Sequence, residues 1–561
     1  MGIDDLSLLH CVALTLATSS GAYWWIKRYE SDPGAELPLS ILLVYAPLLL
    51  SLPLINHIPN VAVALLAIFG SYFSLILLYT TVYRLSPFHP LARYPGPFPA
   101  KLSKFWAIHV ARSGKEHLYL KALHERYGDF VRIGPNELLI RDPTAIDSIL
   151  GSDGLPKGPW WDNRPHDPAG APLVGIRNTV EHSRRRKLWS RAFANQALKD
   201  YEEPAAKASK QLVERIQRMV QQREGGGNGQ GALLDLAAWM TYFATDFMGT
   251  IVFGDNFGLV EDGGDSNGVL QLLKSGQDGI AIFAHVSWTL MFHKIFPSVR
   301  ETAVLMQKFV VKNVKSRVAI GVGKKDLFYH LRDEEQLEKI RPSLAELTSD
   351  SILAVRAGSD KTALVLTALF YYLLRHPSAY KRLQDEVDSV FQRGEEPVDS
   401  AKLSEMAWLN ACINETVRLQ PPIADGTQRM VVRGSGPKVL GENVIPEQTT
   451  VFVHTYSIHR DPRNFSSPDS FLPERWLGTD AAITAHNLTA FFPFSYGPYN
   501  CVGKNLALLE IRMAVASLVQ KFNFQPESEG KKPGVETWEG GLRDFYVLRK
   551  GPLWVEVVSR K

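Results

Sequence analysis

The stretch Phe494-Ser495-Tyr496-Gly497-Pro498-Tyr499-Asn500-Cys501-Val502-Gly503-Lys504-Asn505-Leu506-Ala507 is a Gly/Pro loop that runs straight into a helix-patterned segment, with a cysteine at the junction. A helix start offers unpaired backbone N–H groups and the positive end of a dipole, which favour a thiolate over a thiol. Thiolate is the form that ligates metal. Gly497 and Gly503 remove side chains on either side of Cys501, so a broad flat group can approach the backbone, with Val502, Leu506 and Leu509 able to pack beneath it. A lone cysteine makes neither a zinc site nor an iron–sulfur cluster, whereas a haem held by one thiolate needs a single sulfur. Without that context, an isolated cysteine is more often a buried structural residue.

Other chemistry-bearing groups are spread along the chain. Ala357-Gly358-Ser359-Asp360-Lys361-Thr362 precedes a segment, residues 363–374, that is apolar nearly all round, as a helix threading a core is. Glu415-Thr416-Val417-Arg418 sets an acid and a base at i and i+3 on one helical face, a spacing worth only about 0.2–0.5 kcal/mol if solvated. Pro473-Glu474-Arg475-Trp476 follows it. His182 leads into the basic run Arg184-Arg185-Arg186-Lys187, which by itself reads as a solvated helix face, and Arg429 lies ten residues beyond Leu419.

In this order, Phe494, Gly497, Cys501 and Gly503 resemble the haem-binding signature Phe-x-x-Gly-x-Arg-x-Cys-x-Gly of the cytochrome P-450 superfamily. The likeness runs from about residue 90 to the C-terminus, and its wording most resembles fungal, membrane-bound members. It implies a mainly α fold with small β-sheets and heme b with an axial thiolate from Cys501. It further implies propionate contacts from His182, Arg186 and Arg429, and a buried Glu415/Arg418/Arg475 network that serves folding rather than turnover. Asp360, Lys361 and Thr362 fall in the oxygen-activating helix. The activity implied is a monooxygenase inserting one oxygen atom from O2 into a lipophilic small molecule, in fungal secondary metabolism such as terpenoid biosynthesis. No Gly-rich phosphate loop follows a predicted strand. The resemblance therefore implies an NADPH–cytochrome P-450 reductase as electron donor, with cytochrome b5 as an optional second one. Two alternatives stay open: a haem-thiolate isomerase or dehydratase needing neither NADPH nor O2, and a non-enzymatic haem-binding membrane protein.

Two positions depart from the family pattern. Tyr499 stands where the signature has arginine, which removes a cation from the haem edge and leaves more of that duty to Arg429 and Arg186. The usual acid–alcohol pair is Asp360-Lys361, with the alcohol displaced to Thr362. One helical step rotates a side chain by about 100°, so Thr362 does not inherit the missing place. Lys361 then has several readings: a proton-donating ammonium, a neighbour to a water that replaces the alcohol, a sign that no oxygen is activated, or a lysine reaching solvent. A buried unpaired ammonium is costly and tends to neutralise.

These residues need elements to hold them. Helical patterning covers residues 114–127, 181–195, 205–223, 233–253, 344–375, 378–393, 402–419 and 502–522, and strands are expected at 130–133, 137–140 and 450–453. A Gly-rich run at 225–231 reads as a surface loop, and the apolar stretch 280–299 as either a membrane-facing substrate entrance or a core helix.

Residues 1–88 differ in kind. Stretches 7–26, 37–55 and 61–83 contain no Asp, Glu, Lys or Arg, and each is near the roughly 20 residues that cross hydrocarbon as a helix. The acidic start, Asp4-Asp5, is unlike an export signal, so the expectation is a retained anchor of three transmembrane helices, with Pro47 and Pro53 weakening the middle one. Lys27, Arg28, Arg84 and Arg93 at the flanks place the body in the cytosol, at the endoplasmic reticulum membrane. Residues 89–99, with four prolines, form a stiff hinge, and 100–561 the haem-thiolate catalytic domain. The chain has 561 residues, 45% of them hydrophobic and 21% charged, enough for a large core. A net charge of +4 gives no case for nucleic-acid binding, and three cysteines allow at most one disulfide.

Overall fold

The computed structural model describes residues 6–560 apart from 30–35, 163–169, 225–230, 287, 288, 291–296, 322, 393, 479–483 and 528–531. The Gly-rich run therefore lies almost wholly outside the described residues.

A 32-residue helix, Leu344–Arg375, forms the axis of the molecule. Its start is fixed by a capping box: Glu346 N donates to Ser343 Oγ at 3.2 Å, and Ser343 N donates to Glu346 Oε2 at 2.6 Å. From Thr362 to Leu374 every side chain is buried, so this half of the helix has no solvent face. The helix Leu236–Phe253 packs along it. By length and composition alone Leu236–Phe253 can cross a membrane, yet 83% of it is buried inside the protein, which makes it a core helix.

A four-stranded sheet runs in the order Phe130–Gly134, Glu137–Ile140, Thr450–Val453, Arg429–Met430, with the middle pair parallel. Arg429 stands opposite Val451 at its edge, and a backbone bridge sets Lys157 beside Arg429. A second hairpin pairs Arg543–Phe545 with Val547–Arg549 around Tyr546, whose φ is +69°.

The predicted helices form, with local differences. Residues 232–235 are a strand paired with Trp554–Ser559, and the helix starts after Asp235, whose side chain accepts from Ala237 N. The expected 402–419 helix breaks at Met406 into Ser400–Glu405 and Ala407–Leu419. Glu386 from a neighbouring helix supplies the cap, accepting from Trp408 N at 2.7 Å and Leu409 N at 2.8 Å. Pro297–Ile320 is a helix with no counterpart among the expected elements.

At the N-terminus, Pro38–Ile55 and Val61–Leu85 are long and apolar enough to cross a membrane. Leu8–Tyr29 is helical but is not among such helices, because Thr15, Thr18, Ser19 and Ser20 interrupt its apolar surface. Their hydroxyls donate to carbonyls of the same helix, Thr15 Oγ1 to Cys11 O at 2.8 Å for example, and so are satisfied locally. The Pro-rich segment 89–99 is neither extended nor detached. His89, Leu91 and Tyr94 are buried, Arg132 N donates to Pro95 O at 2.7 Å, and a Cβ on Gly96 would meet Arg132 O at 2.1 Å. All three cysteines are free thiols.

Glu415, Arg418 and Arg475 form a buried ionic triad. Arg418 grips Glu415 with two parallel bonds, Nε to Oε2 at 2.9 Å and Nη2 to Oε1 at 2.8 Å, and Arg475 Nε donates to Oε1 at 3.0 Å. Trp476 Nε1 and Leu472 N complete the carboxylate, while the carbonyls of His459, Pro468 and Ser470 cap Arg418. Burial pushes the Glu415 carboxyl up, but hydrogen bonding and charge from Arg418 and Arg475 outweigh it and hold it below the usual range. Removing the charge strands two buried guanidiniums. Glu415→Gln is expected to cost about 3–5 kcal/mol of stability, measured as a lowered denaturant midpoint.

Candidate functional site

The cysteine loop is held by its own backbone. Cys501 N donates to Phe494 O at 2.8 Å and Asn500 N to Gly497 O at 3.0 Å. Gly497 has φ +69°, and a Cβ there would lie 1.9 Å from Leu150 O, so it answers to the chain packed beneath it. Gly503 caps the helix Lys504–Lys521, and no group closer than Phe193 at 3.6 Å would meet a Cβ on it, which leaves open space beside the sulfur. Cys501 itself is exposed, while Leu506 and Leu509 are buried behind it. The depth of the site still pushes its thiol pKa up. The Lys361 charge, the Gly503 N–H, Arg186 and Lys504 all work the other way.

Across the loop, four basic groups crowd the ring of Tyr499. The His182 ring lies 4.5 Å from it, the Arg429 guanidinium 4.4 Å and the Lys157 ammonium 5.2 Å. Arg186 completes the set, donating to Asn500 O at 2.7 Å and Asn500 Oδ1 at 2.6 Å. No carboxylate among the described residues balances them. Arg429 is buried with Nε and Nη1 unpartnered, and Lys157 Nζ reaches only the carbonyls of Leu173 and Val174. Burial, then Lys157, Arg186 and Arg429, drive His182 down to about 3, and burial takes Arg429 down to about 10. The basic run divides by helical phase: Arg184 and Arg185 pair with Glu346, and Arg185 with Asp350 at 2.6 Å, while His182 and Arg186 face the site. Lys157 carries no signal in the sequence; the strand bridge to Arg429 brings it in.

Asp360, Lys361 and Thr362 do not converge. Asp360 Oδ2 accepts from Arg549 Nη1 at 3.0 Å, and Arg549 also holds Asp278. Thr362 is buried, with its hydroxyl on the buried carboxyl of Glu510. Lys361 is the member that senses Cys501: burial lowers its pKa, and the Cys501 and Asp360 charges oppose that. Gly358 does not open a space over the sulfur. A Cβ there would strike Met248 Sδ at 2.3 Å, so it serves the contact with Leu236–Phe253.

A single accessible thiol and an unbalanced basic cluster on one loop fit a haem: the sulfur for iron, the cations for its two propionates. The model of the cytochrome P450 family matches residues 94–549. This chain belongs to the cytochrome P450 family. Cytochrome P450 monooxygenase nodW from Hypoxylon pulicicidum is 35% identical over 456 residues, covering 81% of this chain and 80% of that protein. Cytochrome P450 monooxygenase FCK2 from Fusarium pseudograminearum is 34% identical over 480 residues, covering 84% and 82%, and phqL from Penicillium fellutanum 30% over 483 residues, covering 84% and 81%. The chain is a P450 monooxygenase, an oxidoreductase whose family implies haem with a cysteine thiolate.

Two outcomes follow for this P450. Hydrogen bonds to charged groups are worth about 1.5–3 kcal/mol, so Arg429→Ala should release haem about tenfold faster or more, read by haem transfer to apomyoglobin. In the haem-free protein, burial, then Arg429 and Arg186, take Lys157 from 10.5 to about 7. Between those values the unfolded chain holds a proton that the folded chain lacks, so stability rises with pH across the window and falls as pH drops through it. Lys157→Met should flatten that rise in denaturation midpoints.

Proposed function

We propose that this P450 is anchored in the endoplasmic reticulum membrane by its N-terminal helices and hydroxylates a lipophilic small molecule in fungal secondary metabolism, for example a terpenoid. The Cys501 thiolate would hold the haem iron, and an NADPH–cytochrome P450 reductase, with cytochrome b5 as a second donor, would supply electrons. The apolar helices Pro38–Ile55 and Val61–Leu85 support the anchor. The observation that carries the reading is an exposed Cys501 on the same loop as Tyr499 and Asn500, around which Lys157, His182, Arg186 and Arg429 gather with no acid among the described residues.

The bound haem supplies oxygen activation, and the residues around it do the rest. Lys157, His182, Arg186 and Arg429 orient it through its acidic edge. Phe494 and Gly503 border the sulfur and leave it room. Thr362 is committed to Glu510, so the side chain available to hold a proton on this stretch of the central helix is Lys361. Its ammonium stands where burial makes the proton easier to give up, and Asp360, tied to Arg549, sits next to it on the outer side.

Expression in microsomes with a reductase should give the red-shifted Soret band of a thiolate-ligated ferrous carbon monoxide complex, and Cys501→Ser should abolish it. Metabolite screening then identifies the product. Lys361→Met should lower product formed per NADPH consumed by about tenfold or more, whereas Thr362→Val should leave that ratio unchanged. Equal coupling in Lys361→Met and the unaltered enzyme contradicts the proton-holding role.

A further inference from the structure

A cleft is walled by Trp106, Tyr119, Leu120, Trp160, Phe452 and Tyr546 and reaches Gln428, the chain neighbour of Arg429. It adjoins the proposed haem edge: Gln428, next to Arg429, accepts from Trp160 N at 2.8 Å, and the Tyr546 ring lies 4.8 Å from that of Trp160. The helix Gln277–Ala284 borders it through Ala281 and Ile282, which places the described start of the 280–299 stretch at this entrance.

Its charge is one-sided. Glu116, Glu137, Asp425 and Asp544 line it with one histidine, His285, and among the described residues no Lys or Arg does. Two of the acids are spent: Glu116 pairs with His285 at 3.2 Å, and Glu137 with Lys104 and Thr450. The other two are not. Asp544 is 1% exposed, and neither carboxylate oxygen has a hydrogen-bond partner. His117 Nδ1 stays 3.6 Å from it. Asp425 Oδ1 is likewise buried and unpartnered, with His454 Nε2 at 3.3 Å. His454 gives no countercharge, because burial, then His124 and His117, hold it neutral. Burial and the Asp544 charge raise Asp425 well above the carboxylate range.

Both acids are built in. Gly426 has φ +75°, and a Cβ on it would meet Val453 O at 2.3 Å, which pins the loop carrying Asp425. Asp544 N donates to Gly114 O at 2.8 Å. Among the described residues no three His, Cys, Asp or Glu groups converge to hold a metal ion, and no Lys or Arg lines the cleft to pair with Asp544. We propose that Asp544, backed by Asp425, recognises a protonated amine, so that the substrate of the monooxygenase reading above is a lipophilic compound bearing a basic nitrogen. The aromatic walls suit the body of such a molecule and the face of its cation.

The test uses the full-length holoenzyme in lipid nanodiscs, reduced and carbon monoxide-bound so that the iron cannot take the amine. Equilibrium dialysis compares N,N-dimethyl-2-phenylethylamine with its neutral isostere isopentylbenzene. The expected result is at least about tenfold tighter binding of the amine, with the preference lost in Asp544→Asn and in the double variant Asp544→Asn/Asp425→Asn while the carbon monoxide band persists. Two variants guard against one failing to fold, and the comparison of probes on the unaltered enzyme stands without either. Equal binding of the two probes, or a preference surviving in both variants, overturns the proposal. Absence of the thiolate band from the unaltered preparation defeats the monooxygenase reading instead, and the dialysis ratio still decides the amine site.

Discussion

Uncompensated positive charge around Tyr499 is the constraint on which the site depends. Lys157, Arg429 and the helix carrying both His182 and Arg186 are three separate segments, and burying the charges of Lys157 and Arg429 beside Arg186 costs free energy that nothing in the described polypeptide repays. A prosthetic group with two acidic side chains repays it, and the same loop carries the accessible sulfur of Cys501. The haem-free protein is the strained form.

The contrast with Glu415 sharpens the point. There a buried carboxylate has two guanidiniums, an indole N–H and a backbone N–H, and the guanidiniums are capped by carbonyls. Each charge in the cluster meets an opposite one, and the cluster ties helix Ala407–Leu419 to the segment bearing Arg475. Along one helix, Arg185 is spent on Glu346 and Asp350, while Arg186, one residue later, turns to Asn500 of the cysteine loop; in the cleft, Glu116 is spent on His285 and Asp544 is not spent.

Much of the frame was legible in the sequence because its signals are local. The helix Leu344–Arg375 announces itself by Ser343 and Glu346 at capping-box spacing and by the apolar run that follows. The displaced alcohol at Thr362 was legible too, since a turn of about 100° sends it elsewhere, here to Glu510. What stayed hidden is set by tertiary contact. The break at Met406 depends on Glu386 capping from another helix, and Lys157 joins the site only through its bridge to Arg429. Gly358 answers to Met248 on the neighbouring helix, a contact no local pattern announces. Asp425 and Asp544 meet only because a glycine-pinned loop and a hairpin strand close on one cleft.

The central claim, that the Cys501 sulfur binds haem iron, is tested most directly by iron K-edge X-ray absorption of the purified ferric protein. The account predicts one sulfur neighbour in the iron's first shell, lost when serine replaces Cys501. A first shell of nitrogen and oxygen alone in the unaltered protein, or a sulfur that remains after the replacement, would contradict it.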